Sequence, residues 1–375
     1  MRVFHVHERF EELPALPERL PAAGFLWISS ARREFEVQVP QLQAALQAWD
    51  TGTLVDLHVS DLLNHQLPSH FDYTSWYDLL VFRRLAAGTG SGELFVDDAH
   101  GTASTARRAL ESIDTSPVGF AVFDRLLITV HPAGCQVREY FEGRLAQLGA
   151  PPSGDPRSAG AGKSSTRLPP SAADLMLRIV NHMVDGYLDL RRLLTRQLGH
   201  LQRELLGSRR GFDNWQALLE SRNALHQLED TCEDQRSAIQ EWIDAMDVWP
   251  DAPTPAAQRE RELLRVRSRD VLEHIERVLG HVRRLESSAE SAVQMHFSAQ
   301  SNRTNHIMRT LTVLTAIFLP LNLITGFFGM NFDFLPFIHT SAGVWFTMAV
   351  MAVVAIGLLI YFRRKRYLAG GDSGL

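Results

Sequence analysis

The chain has 375 residues, 45% of them hydrophobic and 22% charged, and a formal net charge of -5 at pH 7. A small negative charge does not create the positive potential that attracts nucleic acid, so we expect no nucleic-acid partner. Cys135 and Cys232 lie far apart in the sequence and neither belongs to a CxxC pair, which favours reduced thiols. The N-terminus lacks the apolar core of a signal peptide, so the sequence predicts no cleaved leader.

Residues 1–150 mix short β-rich runs with helical patterns. The dipeptide Asp124-Arg125 separates two apolar runs and predicts a tight hairpin. Helical periodicity covers residues 35–49 and 137–148. The predicted strands are residues 24–30, 54–57, 78–83, 93–96, 118–123 and 126–130. This alternation predicts an α/β domain with a mixed sheet.

Residues 149–170 are rich in Gly, Pro, Ser and Ala and contain almost no large apolar side chain, which predicts a flexible surface linker. The segment includes Gly160-Ala-Gly-Lys-Ser-Ser165, which invites comparison with a phosphate-binding P-loop. That motif needs a glycine five residues before its Gly-Lys pair, where this chain has Arg157, and no predicted strand precedes it. We therefore interpret the segment as a linker and predict no nucleotide site there.

Residues 171–248 carry apolar residues at helical spacing, interrupted by the Gly-rich break at residues 207–211. The pattern predicts an antiparallel hairpin of two long helices, residues 171–206 and 212–248. The second helix has a strongly acidic surface. That surface is typical of a solvated helical face, and it also suits a diffuse electrostatic sink that concentrates cations. Both interpretations stay open on the sequence.

The next helix is predicted to begin at Pro255. Thr254 is a favourable N-cap and proline is well tolerated at the first helical position. No other proline occurs before Pro320, so a single stalk helix is predicted over residues 255–328. Its first half has a heptad pattern, which predicts packing against other helices. The pattern comprises Val271, Ile275, Val278, Val282, Leu285, Ala289 and Ala292.

Two apolar stretches, residues 307–328 and 342–362, are each long enough to cross a bilayer, which needs about 20 apolar residues in a helix. Arg303 and Arg309 flank the first stretch on its N-terminal side, and basic residues begin the tail, residues 363–375. The joining loop, residues 329–341, has no Lys or Arg. By the positive-inside rule, both termini are cytoplasmic and the loop is external. The sequence therefore predicts a multi-pass protein of the cytoplasmic membrane, with its α/β domain in the cytoplasm.

One face of the first span is polar for a segment predicted to lie in lipid. Its members follow steps of three and four residues and are Asn305, Met308, Thr312, Thr315, Leu319, Asn322, Gly326 and Gly329. A polar side chain facing lipid is costly, so this face is predicted to meet another helix or water. Small and hydroxylated residues suit helix association, whereas the amide oxygens of Asn305 and Asn322 favour a cation pathway. Two spans are too few to enclose a pore, so a channel requires several copies around an axis.

Three segments, residues 301–311, 318–332 and 361–368, closely resemble the CorA-type magnesium channels. The tripeptide Gly329-Met330-Asn331, after the first of two C-terminal spans, is the signature of that family. The resemblance is strong from Ser268 onward, whereas the N-terminal domain matches only in outline. It implies a homopentameric funnel in which the first spans line the pore, the second spans form an outer ring and the stalk helices lie beneath the α/β domains.

The resemblance also implies roles for residues along the pore. Gly329, Met330 and Asn331 would form the external mouth, with Asn331 binding a hydrated cation through its side-chain oxygen. Mg²⁺ sheds water reluctantly, so capture of the hydrated ion avoids the cost of dehydration. A narrow apolar ring can close such a pore by dewetting. The residues that match the apolar constrictions of the family are Met308, Leu311 and Leu319.

Asp270 matches an acidic residue that holds a regulatory Mg²⁺ between neighbouring subunits of the family. Asp97 and Asp98 are the candidates for its partner across that interface. The alternative interpretation is that Asp270 is an ordinary exposed charge on a helix. The sequence does not separate the two.

Two departures from the family pattern concern the pore and the external loop. Asn322 stands where threonine is common, and the loop retains the acidic Asp333 but has Phe337 in place of a second acid, with His339 nearby. Histidine is a better ligand for Zn²⁺ than for Mg²⁺. The related ZntB-type zinc transporters are therefore the nearest alternative branch, although Met330 favours the magnesium branch.

From these features we predict passive entry of divalent cations, chiefly Mg²⁺ and also Co²⁺ or Ni²⁺, gated by cytoplasmic metal. We expect no enzymatic reaction and no cofactor besides the transported and regulatory cations. The first alternative is a Zn²⁺ transporter, with or without proton coupling. The second alternative is a membrane-anchored scaffold or sensor, against which the polar face of the first span argues.

Overall fold

A computed structural model of the chain describes residues 1–87, 113–149, 167–207, 215–250, 252, 254–330 and 341–365. The chain divides into two compact units, Met1–Glu290 and Ser291–Leu375. The predicted strand at residues 93–96, the candidate partners Asp97 and Asp98 and most of the predicted linker lie outside the described residues.

The first unit contains a mixed seven-stranded sheet with strand order β2-β1-β3-β9-β8-β5-β4. Its strands are β1 (Arg2–Val6), β2 (Phe10–Leu13), β3 (Phe25–Ala31), β4 (His70–Tyr73), β5 (Asp78–Arg83), β8 (Pro117–Val122) and β9 (Leu126–His131). A separate pair consists of β6 (Ala86–Ala87) and β7 (Ile113–Asp114). Strands β3 and β9 are parallel, and the other neighbours in the large sheet are antiparallel. The predicted mixed sheet is confirmed.

The hairpin predicted at Asp124-Arg125 is also confirmed. Strands β8 and β9 are antiparallel neighbours, and the amide of Phe123 donates to the carbonyl oxygen of Leu126 at 2.8 Å across the turn. Alternate residues of the central strands then enter two different cores, as the two-residue period of a strand requires. In β3, for example, Trp27 joins one core and Ile28 the other.

Two helices cover one face of the sheet: α1 (Arg32–Ala48) and α2 (Asp56–Leu63). Phe35 and Leu42 of α1 and Leu62 of α2 are buried in the core on that face. The strand predicted at residues 54–57 is wrong, because α2 begins inside it. Only its first part is extended: Val55 has φ -67° and ψ 140° and serves as the N-cap of α2.

The opposite face carries α3 (Gln136–Gly149) and α4 (Ala172–Asp185). Helix α4 is almost entirely buried, and the hydroxyl of Ser171 caps it by accepting a hydrogen bond from the Asp174 amide. Asp174 itself is buried and forms ion pairs with Arg178 and Arg267. The helix therefore joins the sheet to the helical part of the first unit.

The single helix predicted over residues 171–206 is two helices, because α4 ends before Gly186 and α5 (Tyr187–Gly207) follows it. Leucines at helical spacing continue through this point, which is why the pattern does not reveal the break. Helix α6 (Trp215–Val248) comes next. Leu190 and Leu194 of α5 belong to the same core as Leu225, Leu228 and Trp242 of α6.

Helix α7 (Pro255–Phe328) has the bounds that the sequence pattern predicts. The Thr254 hydroxyl accepts a hydrogen bond from the Ala257 amide at 3.2 Å, which confirms the N-cap. The heptad positions Val271, Ile275 and Val282 are buried in the core that α4, α5 and α6 share. The heptad pattern of this part of α7 therefore serves packing within the chain.

The second unit contains the C-terminal part of α7 and helix α8 (Ser341–Arg364). By length and composition, α7 and α8 are the helices of the described chain that can cross a membrane. The residues singled out in the loop that is predicted to be external lie outside the described residues and are Asn331, Asp333, Phe337 and His339.

Candidate functional site: the polar face of α7 and Asp270

The polar residues singled out in the sequence share one face of α7. At about 100° per residue, the eight positions from Asn305 to Gly329 fall within an arc of about 120°. All eight are solvent-exposed within the single chain. Position 326 is occupied by glycine although a Cβ there would meet no other atom within 4 Å. Packing within the described chain therefore does not account for the small residue at this position.

The threonines on this face direct their hydrogens to the main chain. Thr312 donates to the carbonyl oxygen of Met308 at 2.8 Å, and Thr315 donates to the carbonyl oxygen of Leu311 at 2.9 Å. A hydroxyl has one hydrogen and two acceptor lone pairs. Since the hydrogen is used within the helix, each oxygen presents acceptor capacity to its surroundings. The face can therefore accept hydrogen bonds from the water shell of a cation.

Large apolar side chains interrupt these oxygens. Met308 and Leu311 are each 57% exposed, and Leu319 is 69% exposed. Met308 and Leu319 lie on the polar face itself, and Leu311 precedes Thr312 at its edge. Leu311 is not one of the eight residues of the polar face, but it lies four residues before Thr315 and so has the same helical spacing. The three side chains can thus form apolar rings if copies of α7 surround an axis.

The end of α7 has a constraint at Gly329. Its amide donates to the carbonyl oxygen of Thr325 at 2.9 Å, and a Cβ at this position would lie 2.9 Å from that same oxygen. A side chain there would force the backbone to shift. The next amide, of Met330, donates to the carbonyl oxygen of Phe327 at 3.4 Å. Gly329 and Met330, the first two residues of the signature, therefore lie at the C-terminal end of α7. Steric constraints require glycine at position 329.

Asp270 belongs to the first unit and is 57% exposed. The Nε2 atom of His274 lies 3.7 Å from its Oδ1 atom, and the Nδ1 atom of the same imidazole lies 3.4 Å from Oδ1 of Asp185. The imidazole thus lies between two carboxylates, one from α7 and one from the end of α4. Sequence reasoning missed Asp185, because nothing in a helical pattern 85 positions upstream indicates that it approaches Asp270.

A cavity of about 370 Å³ adjoins this cluster. Asp270 and Asp185 line it together with Tyr140 and His182, whose rings stack at 4.2 Å. Burial lowers the pKa of His182 below its ordinary value, so this imidazole is neutral at pH 7. Asp185 and Asp270 are the acidic residues of this cavity, and Arg144, Arg178 and Arg267 line it as well.

Both cysteines are free and buried, which confirms the expected thiols. Burial raises the pKa of Cys232 to about 12. The thiolate is the form that binds metals and reacts. Cys232 is therefore a packing residue.

Comparison with known proteins identifies the family to which the chain belongs. A family model described as "CorA-like Mg2+ transporter protein" matches residues 102–364. The chain belongs to this family. The matched range includes Asp270, the whole polar face of α7 and the apolar part of α8. This result confirms the family resemblance that the signature tripeptide indicates.

Among curated CorA relatives, the cobalt/magnesium transport protein CorA of Thermotoga maritima is 34% identical over 100 residues, 27% of this chain and 28% of that protein. The magnesium transport protein CorA of Haemophilus influenzae is 26% identical over 209 residues, 55% of this chain and 62% of that protein. The aligned segments thus span less than two thirds of the length of these relatives.

The solved structures extend the likeness to the whole CorA-type fold. The complete structure of the CorA magnesium transporter from Methanocaldococcus jannaschii matches with a TM-score of 0.70 and 17% identity, covering 97% of each chain. The full-length CmaX protein matches with a TM-score of 0.58 and 18% identity, covering 98% of this chain and 97% of that one. The predicted fold, an α/β domain with a long helix and two C-terminal apolar helices, is confirmed.

Proposed function

We propose that this protein is a channel for divalent cations that mediates Mg²⁺ uptake across the cytoplasmic membrane. The observation that carries the proposal is the face of α7 on which Thr312 and Thr315 give their hydrogens to the main chain and turn oxygen acceptors outward. Family membership supports the choice of ion. Transport in this proposal is passive, makes no covalent bond and uses no cofactor.

The chemistry of the face suits hydrated Mg²⁺. This ion prefers an octahedral shell of oxygen ligands and loses its waters reluctantly. The waters around it are hydrogen-bond donors, and the threonine and asparagine oxygens of α7 are the matching acceptors. Co²⁺ and Ni²⁺ carry the same charge and also bind water in their first shell. We therefore expect them to pass through the same pathway.

The assembly that we propose is a homopentamer with α7 of each copy facing the axis. A single α7 and α8 cannot enclose a pathway, and the exposed polar face would meet lipid at a high cost if it had no partner. Asn331 would bind the hydrated cation at the external mouth. The basic residues in the last turn of α8, Arg363 and Arg364, favour a cytoplasmic location of both termini.

We assign gating to two groups of residues. Met308, Leu311 and Leu319 would form apolar rings that exclude water when the rings are narrow. Asp270 would bind a regulatory Mg²⁺ from the cytoplasm and so report the internal concentration. Its neighbours Asp185 and His274 add negative charge and an imidazole to that site.

Flux through the purified protein in liposomes tests the proposal. We expect Mg²⁺ entry, driven by the membrane potential, in vesicles that contain a Mg²⁺-sensitive dye. A parallel set of vesicles with a Zn²⁺-sensitive dye and an imposed pH gradient tests the zinc branch. Zn²⁺ flux that follows the pH gradient, without Mg²⁺ flux, would replace the proposal with a ZntB-type transporter. Absence of flux of either ion would leave a membrane-anchored scaffold or sensor.

Asn331→Ala examines the proposed mouth in the same vesicles. The variant removes the side-chain oxygen that would bind the hydrated ion, so Mg²⁺ uptake should fall strongly. Asn302→Ala is a matched control, because Asn302 lies on α7 before the predicted span and away from the polar face. Uptake that is equal in the two variants would remove Asn331 from the entrance role.

A further inference from the structure

A second cluster of metal-ligating side chains lies in the first unit, away from Asp270. His226 and Glu229 are three residues apart on α6, so they project from the same side of that helix. Glu286 approaches them from α7. One nitrogen of the imidazole and one oxygen of each carboxylate all lie within 4.8 Å of one another. Three potential ligands from two helices thus converge on one point.

The two carboxylates of this cluster lie close together. One oxygen of Glu286 and one oxygen of Glu229 lie within 4.8 Å of each other. A divalent cation between them can accept electron pairs from both oxygens and offset the repulsion between the two negative charges. The pair therefore has the spacing that a shared cation requires.

Two arginines near the cluster orient its carboxylates and still leave them able to bind a cation. The Nε atom of Arg283 donates to Oε1 of Glu229 at 2.6 Å, and the same guanidinium also pairs with Glu233. A carboxylate has about four acceptor positions, so Glu229 can bind a cation while it remains paired with Arg283. Arg222 is a second cation near Glu286. The arginines moderate the negative charge of the site, and Arg283 orients Glu229.

We propose that His226, Glu229 and Glu286 bind a transition-type divalent cation, of which Zn²⁺, Co²⁺ and Ni²⁺ are the candidates. Imidazole suits Zn²⁺ and Ni²⁺, whereas Mg²⁺ prefers oxygen ligands alone. One nitrogen and two oxygens leave coordination positions for water. The bound ion links α6 to α7 and restrains them with respect to each other. The site lies at a different place from the one assigned to Asp270, which also combines carboxylates with an imidazole.

Zn²⁺ binding to the full-length protein in detergent tests the site without any measurement of transport. The protein is titrated with Zn²⁺ against a competing chelator dye, in the presence of millimolar Mg²⁺. We compare His226→Ala and Glu286→Gln with two controls, His200→Ala on α5 and Glu276→Gln on α7. His226 is exposed, so its replacement leaves the core intact. Circular dichroism and gel filtration check that each variant is folded.

We expect the protein and both controls to bind Zn²⁺ at a site that Mg²⁺ does not displace. Each cluster variant should weaken this binding at least about tenfold, which corresponds to 1.4 kcal/mol. Zn²⁺ should also raise the thermal unfolding midpoint of the unaltered protein and not that of the variants. Glu286→Gln retains the shape of the side chain and tests the same ligand set if His226→Ala does not fold.

Unchanged Zn²⁺ binding in both cluster variants would overturn the proposal. A further variant, His274→Ala, tests the Asp270 cluster in the same titration. Loss of Zn²⁺ binding in that variant alone would also overturn the proposal, because it would assign the ion to the Asp270 cluster. Equal competition by Mg²⁺ would exclude the proposed metal class. Because these measurements involve no flux, a negative result here leaves the channel proposal standing, and a channel without flux leaves this site standing.

Discussion

Thr312 donates its hydroxyl hydrogen to the carbonyl oxygen of Met308, 2.8 Å away and four residues earlier on α7. The bond satisfies the donor of a polar side chain in a helix that is apolar enough to cross a membrane. It also determines the chemistry that the side chain offers to its surroundings, since only acceptor positions remain. Such an oxygen attracts cations and their water ligands.

Thr312→Val should reduce Mg²⁺ uptake by about two- to tenfold, the effect of one hydrogen bond of 0.5 to 1.5 kcal/mol. Valine keeps the branched shape and removes the oxygen. The measurement is the initial rate of Mg²⁺ entry into liposomes. Thr310→Val is the matched control, because Thr310 makes the same type of bond, to the carbonyl oxygen of His306 at 2.9 Å, but lies off the polar face. Equal rates in the two variants would mean that the polar face does not contact the ion.

Asp270→Asn should weaken the inhibition of uptake by internal Mg²⁺. The change removes one charge of the carboxylate cluster formed with Asp185 and retains the size of the side chain. We expect the internal Mg²⁺ concentration for half inhibition to rise by at least about tenfold. The reason is that losing a charged ligand costs about 1.4 kcal/mol or more of binding free energy. Flux is measured at a series of internal concentrations. Glu276→Gln, an exposed acid on the same helix, is the control. If the two variants behave alike, Asp270 is only a helix charge.

Ser268→Ala should lower the free energy of unfolding by about 1 to 3 kcal/mol. The indole nitrogen of Trp242 donates to the Ser268 hydroxyl at 3.0 Å, and both side chains are fully buried. Alanine leaves the indole N–H without an acceptor in the core between α6 and α7. Chemical denaturation of the purified protein measures the loss.

A double-mutant cycle with Trp242→Phe separates this hydrogen bond from general packing. If the bond matters, Ser268→Ala should cost clearly less in the Trp242→Phe background, where the indole donor is absent. An equal cost in both backgrounds would attribute the loss to packing of the serine alone.

Because His131 is buried, we expect the free energy of unfolding to decline in mild acid. Burial, reinforced by the charges of Arg138, Arg84 and Arg32, lowers the pKa of His131 to about 3. In the unfolded chain the imidazole takes up a proton near its ordinary pKa of about 6.5, and in the folded protein it does not. As the pH falls from about 6.5 towards 3, the free energy of unfolding should therefore decrease, by up to about 1.4 kcal/mol per pH unit.

His131→Gln should flatten this part of the pH profile. The comparison is the difference in unfolding free energy between the two proteins at pH 7.5, about 6 and about 5, because other groups titrate equally in both. Above pH 6.5 the difference should be constant. A difference that does not change with pH would show that His131 is protonated equally in the folded and unfolded states.

Local sequence patterns predict some features of the fold correctly and miss others. The polar face of α7 depends on spacings of three and four residues within one helix, so it can be predicted from the local sequence. The break at Gly186 escaped detection because the leucine pattern continues across it. The strand predicted at residues 54–57 failed because Val55 is extended for only the length of a helix cap.

The family, the two apolar helices and the polar face between residues 305 and 329 follow from the sequence alone, since each depends on local composition and helical period. Which distant side chains meet depends on how the helices pack in the folded protein. Asp185 approaches His274 and Asp270, and Glu286 meets His226 and Glu229, because α4, α6 and α7 share one core. Packing between helices sets these contacts, and the period of a single helix does not encode the partner that its polar side faces.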